Sequence, residues 1–173
     1  MIEINKSREE RSRLKGEIVS ALMRWQEATQ LFDETVGERL GLTAAERHCM
    51  SFLVEGPQPA GAIAETIGLT PAAVTSLVDR LEARGFVARQ RNEADRRQVL
   101  VAPTEAAIKI GERYYGQIAQ EGEAMLDTMS TADLAVVKKF ITVALELQQR
   151  QIDRIRNDKA KPPAGLKPRR SSS

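Results

Sequence analysis

Cysteine, histidine and aromatic residues are scarce in this chain, and their scarcity excludes several classes of protein. The single cysteine, Cys49, excludes a disulfide within the chain and indicates a reducing compartment. The chain has one histidine, His48, and no glycine-rich phosphate loop. These leave no residue set for a metal centre or a nucleophile–base pair. We therefore expect no enzyme activity, no catalytic residues, no cofactor and no metal.

Long apolar runs and a strong net charge are also lacking. No stretch approaches the roughly 20 apolar residues that cross a bilayer, and the charged N-terminus is unlike a signal peptide. We expect a cytoplasmic protein without a membrane partner. The net charge is only +2, so binding to nucleic acid would require positive charge clustered on one surface.

What the sequence does contain is helical periodicity at both ends. Apolar residues recur every three or four positions from Leu14 to Gly41 and again beyond Thr104. We predict dimerisation helices over 14–41 and 104–156, a flexible N-terminus over 1–13 and a disordered basic tail over 157–173. The alternative is that these stripes pack against the core of their own chain.

Residues 42–103 predict a helix-turn-helix lobe followed by a hairpin. Thr43 and Glu46 form a capping box that begins one helix. Gly68 suits the left-handed conformation that ends a short helix. Thr70 and Pro71 then cap and open the next, which is tightly connected to it. A helix pair that packs only for structural reasons is the alternative interpretation.

The second helix of this pair has a small polar side opposite its apolar side. Val74, Leu77, Val78 and Leu81 fall within about 100° of one another, so the opposite side faces outward. A helix whose outward side carries such small side chains can approach the base edges in the major groove closely. The predicted DNA-binding residues are Thr70, Pro71, Ala72, Ala73, Thr75, Ser76, Asp79, Arg80, Arg84, Arg96 and Arg97.

The last two of these residues belong to the predicted wing. Two short strands, Phe86–Arg91 and Gln98–Ala102, flank a polar loop that contains Asp95, Arg96 and Arg97. Adjacent guanidinium groups suit the negative potential of a minor groove, and Asp95 can hold one of them by a bidentate pair. Helix, tight turn, helix and basic wing in this order favour DNA binding.

The ordered motifs resemble those of MarR-type winged helix-turn-helix transcriptional regulators. The resemblance covers about residues 14–155 and rests on an ordered series of segments: Leu42-Thr43, Ile63-Ala64 through Thr70-Pro71, Val78–Glu82, Gly85–Val87 and Asp95–Arg97. It implies a mainly α (α+β) winged helix-turn-helix fold with a recognition helix over about 71–84. It also implies that Asp95 orients Arg97 into the minor groove and that the first and the last two helices form the dimer.

The resemblance further implies a pocket for a small aromatic or anionic effector between the dimerisation helices and the DNA-binding lobe. The candidate lining residues are Trp25, Thr29, Arg47, His48, Phe52 and Tyr115. Alternatively, Trp25 is part of the core and His48 is a structural histidine. For Cys49, a buried inert thiol is favoured over a redox sensor, because the neighbouring His48 points about 100° away along the helix.

These observations predict sequence-specific binding of double-stranded DNA by a homodimer at a near-palindromic operator. The expected role is transcriptional regulation, by default repression modulated by an effector. A sequence-neutral architectural DNA-binding protein is one alternative, distinguished by salt-sensitive binding with little sequence preference. A module that binds a protein partner and has lost DNA binding is another.

Overall fold

The computed structural model describes residues 2–92, 95 and 98–158, with six helices and three short strands in this part of the chain. The predictions for Arg96, Arg97 and the tail beyond residue 158 lie outside the described residues. In chain order the elements are α1 (Ile2–Leu40), α2 (Ala44–Leu53), β1 (Gln58–Pro59), α3 (Ala60–Ile67), α4 (Pro71–Ala83), β2 (Val87–Arg91), β3 (Val99–Pro103), α5 (Glu105–Asp127) and α6 (Thr131–Arg156).

The chain divides into two compact units, one up to Ile118 and one from Ala119 onward. The first unit contains α1, the lobe and the first part of α5, and the second contains the rest of α5 and α6. The structure confirms the mainly helical fold with a small antiparallel sheet.

The first helix begins earlier than the sequence predicts. α1 starts at Ile2 rather than near Leu14, so the segment predicted to be flexible continues the helix. The reason is composition, since glutamate, arginine and lysine are strong helix formers even without an apolar stripe. A pair one turn apart, Arg13 and Glu17 at 3.7 Å, adds a small stabilisation.

The helix-turn-helix forms as its capping residues predict. The Thr70 hydroxyl accepts a hydrogen bond from the Ala73 N–H at 3.3 Å, and Pro71 is the first residue of α4. Gly68 ends α3 with a φ of +69°, a backbone conformation that glycine adopts without strain. The chain therefore turns sharply, and α3 and α4 meet at 108°.

The sheet has the order β1-β3-β2, with both pairs antiparallel. β2 and β3 form the predicted hairpin, with Arg89 opposite Val101. The two-residue strand β1 was not predicted; it pairs Gln58 with Val101 and Pro59 with Leu100. Proline is tolerated there because β1 is an edge strand. This strand ties the connection after α2 to the wing.

The buried core lies within the lobe. Four side chains of α4 point into it and meet residues of α2, α3 and the hairpin. Its members are Cys49, Leu53, Ile63, Ala64, Val74, Leu77, Val78, Leu81, Val87 and Val101. The apolar side of α4 is thereby fixed inside the protein, which determines the side that faces outward.

No single helix among the described residues has both the length and the hydropathy to cross a membrane. The α3–α4 pair reaches these values only jointly, is bent by 108°, and supplies part of the lobe's buried core.

Glu46 is a buried charged residue, 3% exposed. Its Oε2 accepts hydrogen bonds from the Thr43 N–H at 2.9 Å and the Thr43 hydroxyl at 3.0 Å. Its Oε1 accepts from Arg80 Nε at 3.2 Å. Burial alone would raise the pKa of this carboxyl, but the hydrogen bonds from Thr43 and Arg80 outweigh it and hold the pKa below its ordinary value.

We expect Glu46→Gln to destabilise the fold in a pH-dependent way. A depressed pKa contributes stability above the ordinary value of 4.5, and this contribution is lost as the pH falls through the folded-state value. At pH 7 the variant should lose about 1–3 kcal/mol, because hydrogen bonds to a charged group are replaced by neutral ones. The measurement is urea unfolding at fixed protein concentration and several pH values. A loss of unfolding free energy as large at pH 3 as at pH 7 would contradict a role for the charge of Glu46.

Candidate nucleic-acid interface

The outward side of α4 carries small side chains. Thr70, Pro71, Ala72, Thr75 and Ser76 are exposed, and Ala73 is half-buried. The Thr75 hydroxyl donates to the carbonyl of Pro71 at 3.0 Å, which leaves its oxygen able to accept a further hydrogen bond. This side has the low profile that a helix needs to approach the edges of bases closely.

One flank of this side is fixed to the wing by charge. Arg89 of β2 forms ion pairs with Asp79 and Glu82 of α4. The Arg89 N–H also donates to Glu82 Oε1 at 3.1 Å. The hydrogen bond to Asp79 is the main reason that the pKa of Arg89 is raised above its ordinary value. Asp79, predicted to contact DNA, is therefore held by a cation of the same chain.

Sequence reasoning missed Arg89 and Glu82 as partners of the recognition helix. Strand alternation was the available signal. Arg89 lies two positions after the buried Val87, so both side chains point to the same face of β2. Nothing in the sequence showed that this face meets the flank of α4 that carries the two carboxylates.

The other flank of α4 contacts the end of α1 and the first turn of α2. Arg80 pairs with the buried Glu46, although its own side chain is 56% exposed. Arg84 donates from Nη1 to the carbonyl of Gly41 at 2.9 Å and from Nη2 to that of Leu40 at 2.6 Å. Both arginines were predicted to contact DNA, and the structure gives each a contact within the protein that the sequence did not predict.

The structure describes the wing except for residues 93, 94, 96 and 97 near its tip. The Asn92 N–H donates to the Gln98 carbonyl at 3.0 Å, and the Gln98 N–H donates to the Asp95 carbonyl at 2.9 Å. These bonds close the loop at its base. The predicted pairing of Asp95 with Arg97 involves a residue outside the described part of the chain and stays a prediction.

A shallow cleft of about 260 Å³ separates the helix from the wing. It is lined by Ala60, Thr75, Val78, Arg89, Val99 and Val101. Its lining is mostly apolar, with the Arg89 guanidinium as its charged group. Base methyl groups are the kind of apolar feature that such a surface can contact.

The six predicted effector residues have different surroundings in the structure. Trp25 is 66% exposed, and His48 is exposed on α2. Phe52 packs against the lobe core. The Thr29 hydroxyl donates to the Trp25 carbonyl at 2.9 Å, a contact within α1.

The remaining two, Arg47 and Tyr115, do lie near each other. The Tyr115 hydroxyl donates to Asp33 at 3.1 Å, and its ring meets Phe32 edge-on at 5.3 Å. Burial and the Asp33 charge raise the pKa of Tyr115 to about 12, against a smaller opposite effect of Arg47. Tyr115 therefore links α5 to α1 as a neutral phenol.

The cavity that the structure does form between α1 and α5 has other walls. It measures about 270 Å³ and is lined by Phe32, Thr35, Val36, Arg39 and Tyr114. None of these was predicted, because the pattern of α1 alone does not show which positions face α5.

Cys49 is fully buried in the lobe core. Burial and the nearby Glu46 charge raise the pKa of its thiol to about 11, so the thiol form persists at neutral pH. Its placement agrees with the predicted inert thiol.

Two comparisons of sequence give a consistent result. The MarR family model matches residues 42–99, which is the lobe from α2 to the start of β3. The chain is 28% identical over 151 residues to the uncharacterized HTH-type transcriptional regulator YcgE of Bacillus subtilis (strain 168), covering 87% of this chain and 98% of that protein. It is 36% identical over 81 residues to YfiV, an uncharacterized HTH-type transcriptional regulator of the same organism, covering 47% of this chain and 51% of YfiV.

Solved structures share the fold. A mutant of MepR from multidrug-resistant S. aureus superimposes with a TM-score of 0.57 at 19% identity, over 75% of this chain and 96% of that chain. A MarR-like transcriptional regulator of Thermotoga maritima gives 0.55 at 23% identity, over 74% and 94%. YusO of Bacillus subtilis gives 0.50 at 23% identity, over 80% and 96%. With the helix-turn-helix and wing described above, these matches show that residues 42–99 are similar to the MarR family and that the chain has the same fold as the MarR-like regulator of known structure.

Proposed function

We propose that the protein regulates transcription as a homodimer that binds a near-palindromic DNA operator sequence-specifically. The observation that carries this proposal is the small, exposed side of α4, opposite four fully buried side chains. A helix presented in this way, at 108° to its partner helix, suits insertion into a major groove.

The exposed residues of α4 suit contacts with bases. The hydroxyl oxygens of Thr75 and Ser76 can meet base edges, and the methyl groups of Ala72 and Thr75 can meet thymine methyls. Thr70, Pro71 and Ala73 lie where α4 begins, at the positive end of its dipole, which favours nearby phosphate. The wing arginines Arg96 and Arg97, with Asp95 orienting Arg97, remain our proposed minor-groove contacts on sequence grounds.

The dimer is proposed from apolar surface that a single chain leaves exposed. None of the residues of α6 is buried, and its large apolar side chains form two stripes on different sides of the helix, about 140° apart. The exposed members of one are Ile141, Leu145, Ile152 and Ile155, and those of the other are Val136, Phe140, Val143 and Leu147. α1 also exposes Leu14, Ile18, Val19, Met23 and Trp25. Such extensive apolar surface is typical of an interface, and a second copy is the partner that would pair two recognition helices.

Repression modulated by a small aromatic or anionic effector completes the proposal. The cavity between α1 and α5 supports it, because aromatic and aliphatic side chains line it together with one cation, Arg39. An aromatic ring with a carboxylate is the ligand chemistry that this lining suits. The effector site is therefore proposed at these walls rather than at the six residues chosen from the sequence.

Selection of bound fragments from random double-stranded DNA tests the function directly. A two-fold repeat should emerge, with affinity above that for unrelated DNA by about three decades at physiological salt. Enrichment of no common sequence, with strongly salt-dependent binding, would instead support the sequence-neutral architectural protein.

Replacing both Thr75 and Ser76 by alanine tests base recognition by α4. We expect operator affinity to fall by about 1–3 kcal/mol, because hydrogen bonds to base edges are lost. Binding to unrelated DNA should stay unchanged, since phosphate contacts remain. Titration of both DNAs by fluorescence anisotropy measures this. Ser51→Ala, an exposed hydroxyl on α2, is the matched control. An equal loss on both DNAs would place α4 outside the groove.

Ile141→Glu tests the proposed dimer. Ile141 is 48% exposed and lies within the apolar side of α6, so a buried charge at this position should weaken association at least about tenfold. Sedimentation across a concentration series measures the dissociation constant. Thr142→Glu adds the same charge one position later, about 100° around the helix, and should leave the dimer intact. Equal behaviour of the two variants would exclude this side of α6 as the interface.

A further inference from the structure

The guanidinium of Arg84 lies between the recognition helix and the end of α1. Arg84 is the C-cap residue of α4, and two of its nitrogens donate to the carbonyls of Leu40 and Gly41 at 2.6 and 2.9 Å. The last carbonyls of a helix have no partner within it and form the negative end of its dipole. A cation with two parallel donors is therefore well suited to this position.

The plane of the guanidinium is restrained from a second direction. Its central carbon lies 5.1 Å from the centre of the Phe86 ring, a cation–π distance. Phe86 is itself fixed, because its N–H donates to the Leu81 carbonyl at 2.9 Å and its carbonyl accepts from the Thr104 N–H at 3.0 Å. Arg84 thus has defined partners on α1 and at the start of the wing.

A second arginine of α4, one turn earlier, contacts α2 close to this position. Arg80 and Arg84 are four positions apart, so they leave the same flank of α4. Arg80 binds the buried carboxylate of Glu46 at the start of α2. Arg84 therefore contacts the end of α1 and the residue that follows it, and Arg80 contacts the first turn of α2.

We propose that Arg84 is a positioning residue that couples the recognition helix to the C-terminal end of α1, and is not a phosphate contact. Arg80 and Glu46 supply the second point of the same coupling. A displacement of α1 then changes the orientation of α4. This inference rests on the proposed DNA binding for its functional consequence, whereas the coupling itself is a property of the free protein.

The salt dependence of operator binding separates the two roles. Each phosphate contact contributes about 0.9 to the slope of log K against log salt concentration. A positioning residue lowers operator affinity without changing this slope, because no counterion release is lost. Substitution of Arg84 by lysine gives a second way to distinguish positioning from phosphate contact. Lysine keeps the positive charge but cannot donate to two carbonyls with a planar fork.

The experiment compares the wild type with Arg84→Lys and Arg84→Ala on the selected operator and on unrelated DNA over a salt series. We expect both variants to lose about tenfold in operator affinity with an unchanged slope, a size typical of coupling through a packed element. Binding to unrelated DNA should be unaffected. Lys109→Ala removes one exposed positive charge that pairs locally with Glu105, and should behave as the wild type.

One set of results would contradict the proposed role of Arg84. If Arg84→Lys binds as the wild type does, and Arg84→Ala reduces the slope by about 0.9 on both DNAs, Arg84 contacts phosphate and the proposal is wrong. Should Arg84→Ala fail to fold, Phe86→Leu provides the second variant. It keeps an apolar side chain but removes the ring beneath the guanidinium, and it should show the same loss without a change of slope.

Hydrogen exchange of the DNA-free protein tests the coupling independently. The amides of Gly41 and Leu42 donate to the carbonyls of Glu38 and Gly37 at 3.1 and 2.8 Å, and they should exchange faster in Arg84→Lys. The amide of Val74 at the start of α4 should be unchanged. Unaltered exchange at Gly41 and Leu42 would overturn the coupling. A wild type that prefers no DNA sequence would overturn only the proposed function, because this measurement uses no DNA.

Discussion

The burial of one side of α4 is the constraint on which the rest of the structure depends. Val74, Leu77, Val78 and Leu81 are at most 1% exposed, so the rotation of the helix about its own axis is fixed by the core. With 100° between successive residues, this rotation leaves Ala72 and Ser76 outermost. Changing the rotation by one residue would turn part of this side towards the core and expose apolar side chains, at a cost of several kcal/mol.

The core fixes rotation, and charged groups on the two flanks fix tilt. On one flank Asp79 and Glu82 meet Arg89 of the wing. On the other flank Arg80 meets the first turn of α2, and Arg84 meets the end of α1. The first arrangement also serves electrostatics, because two carboxylates close to the proposed DNA surface would repel phosphate without the neighbouring cation. Between the two flanks, the small side chains of Ala72, Thr75 and Ser76 stay exposed.

Local signals of the sequence were sufficient for the boundaries of the lobe's helices, because each boundary depends on neighbouring residues. The Thr43–Glu46 capping box, the Thr70 cap, Pro71 and Gly68 all lie within one turn of what they control. The flank partners lie further apart, since Arg84 reaches carbonyls 43 and 44 positions away. Charge and spacing on one helix cannot identify such partners, and phosphate was the natural alternative for an exposed arginine. The same limit applies to the six effector residues chosen from the sequence, because Trp25 is exposed on α1 whereas Phe52 packs against the lobe core.

The C-terminal third of α1 connects the features that regulation would require. Phe32, Thr35, Val36 and Arg39 form walls of the cavity against α5. The carbonyls of Leu40 and Gly41, which accept hydrogen bonds from Arg84, follow Arg39 within two residues. In the proposed mechanism, a ligand that binds better when α1 is displaced shifts the population toward that state, and Arg84 carries the displacement to α4. Two recognition helices in a dimer must match two half-sites about 34 Å apart, so a small change of tilt in each is enough to lose simultaneous binding. Nothing in this route requires the core of the lobe to rearrange, because rotation and tilt of α4 are held by separate sets of contacts.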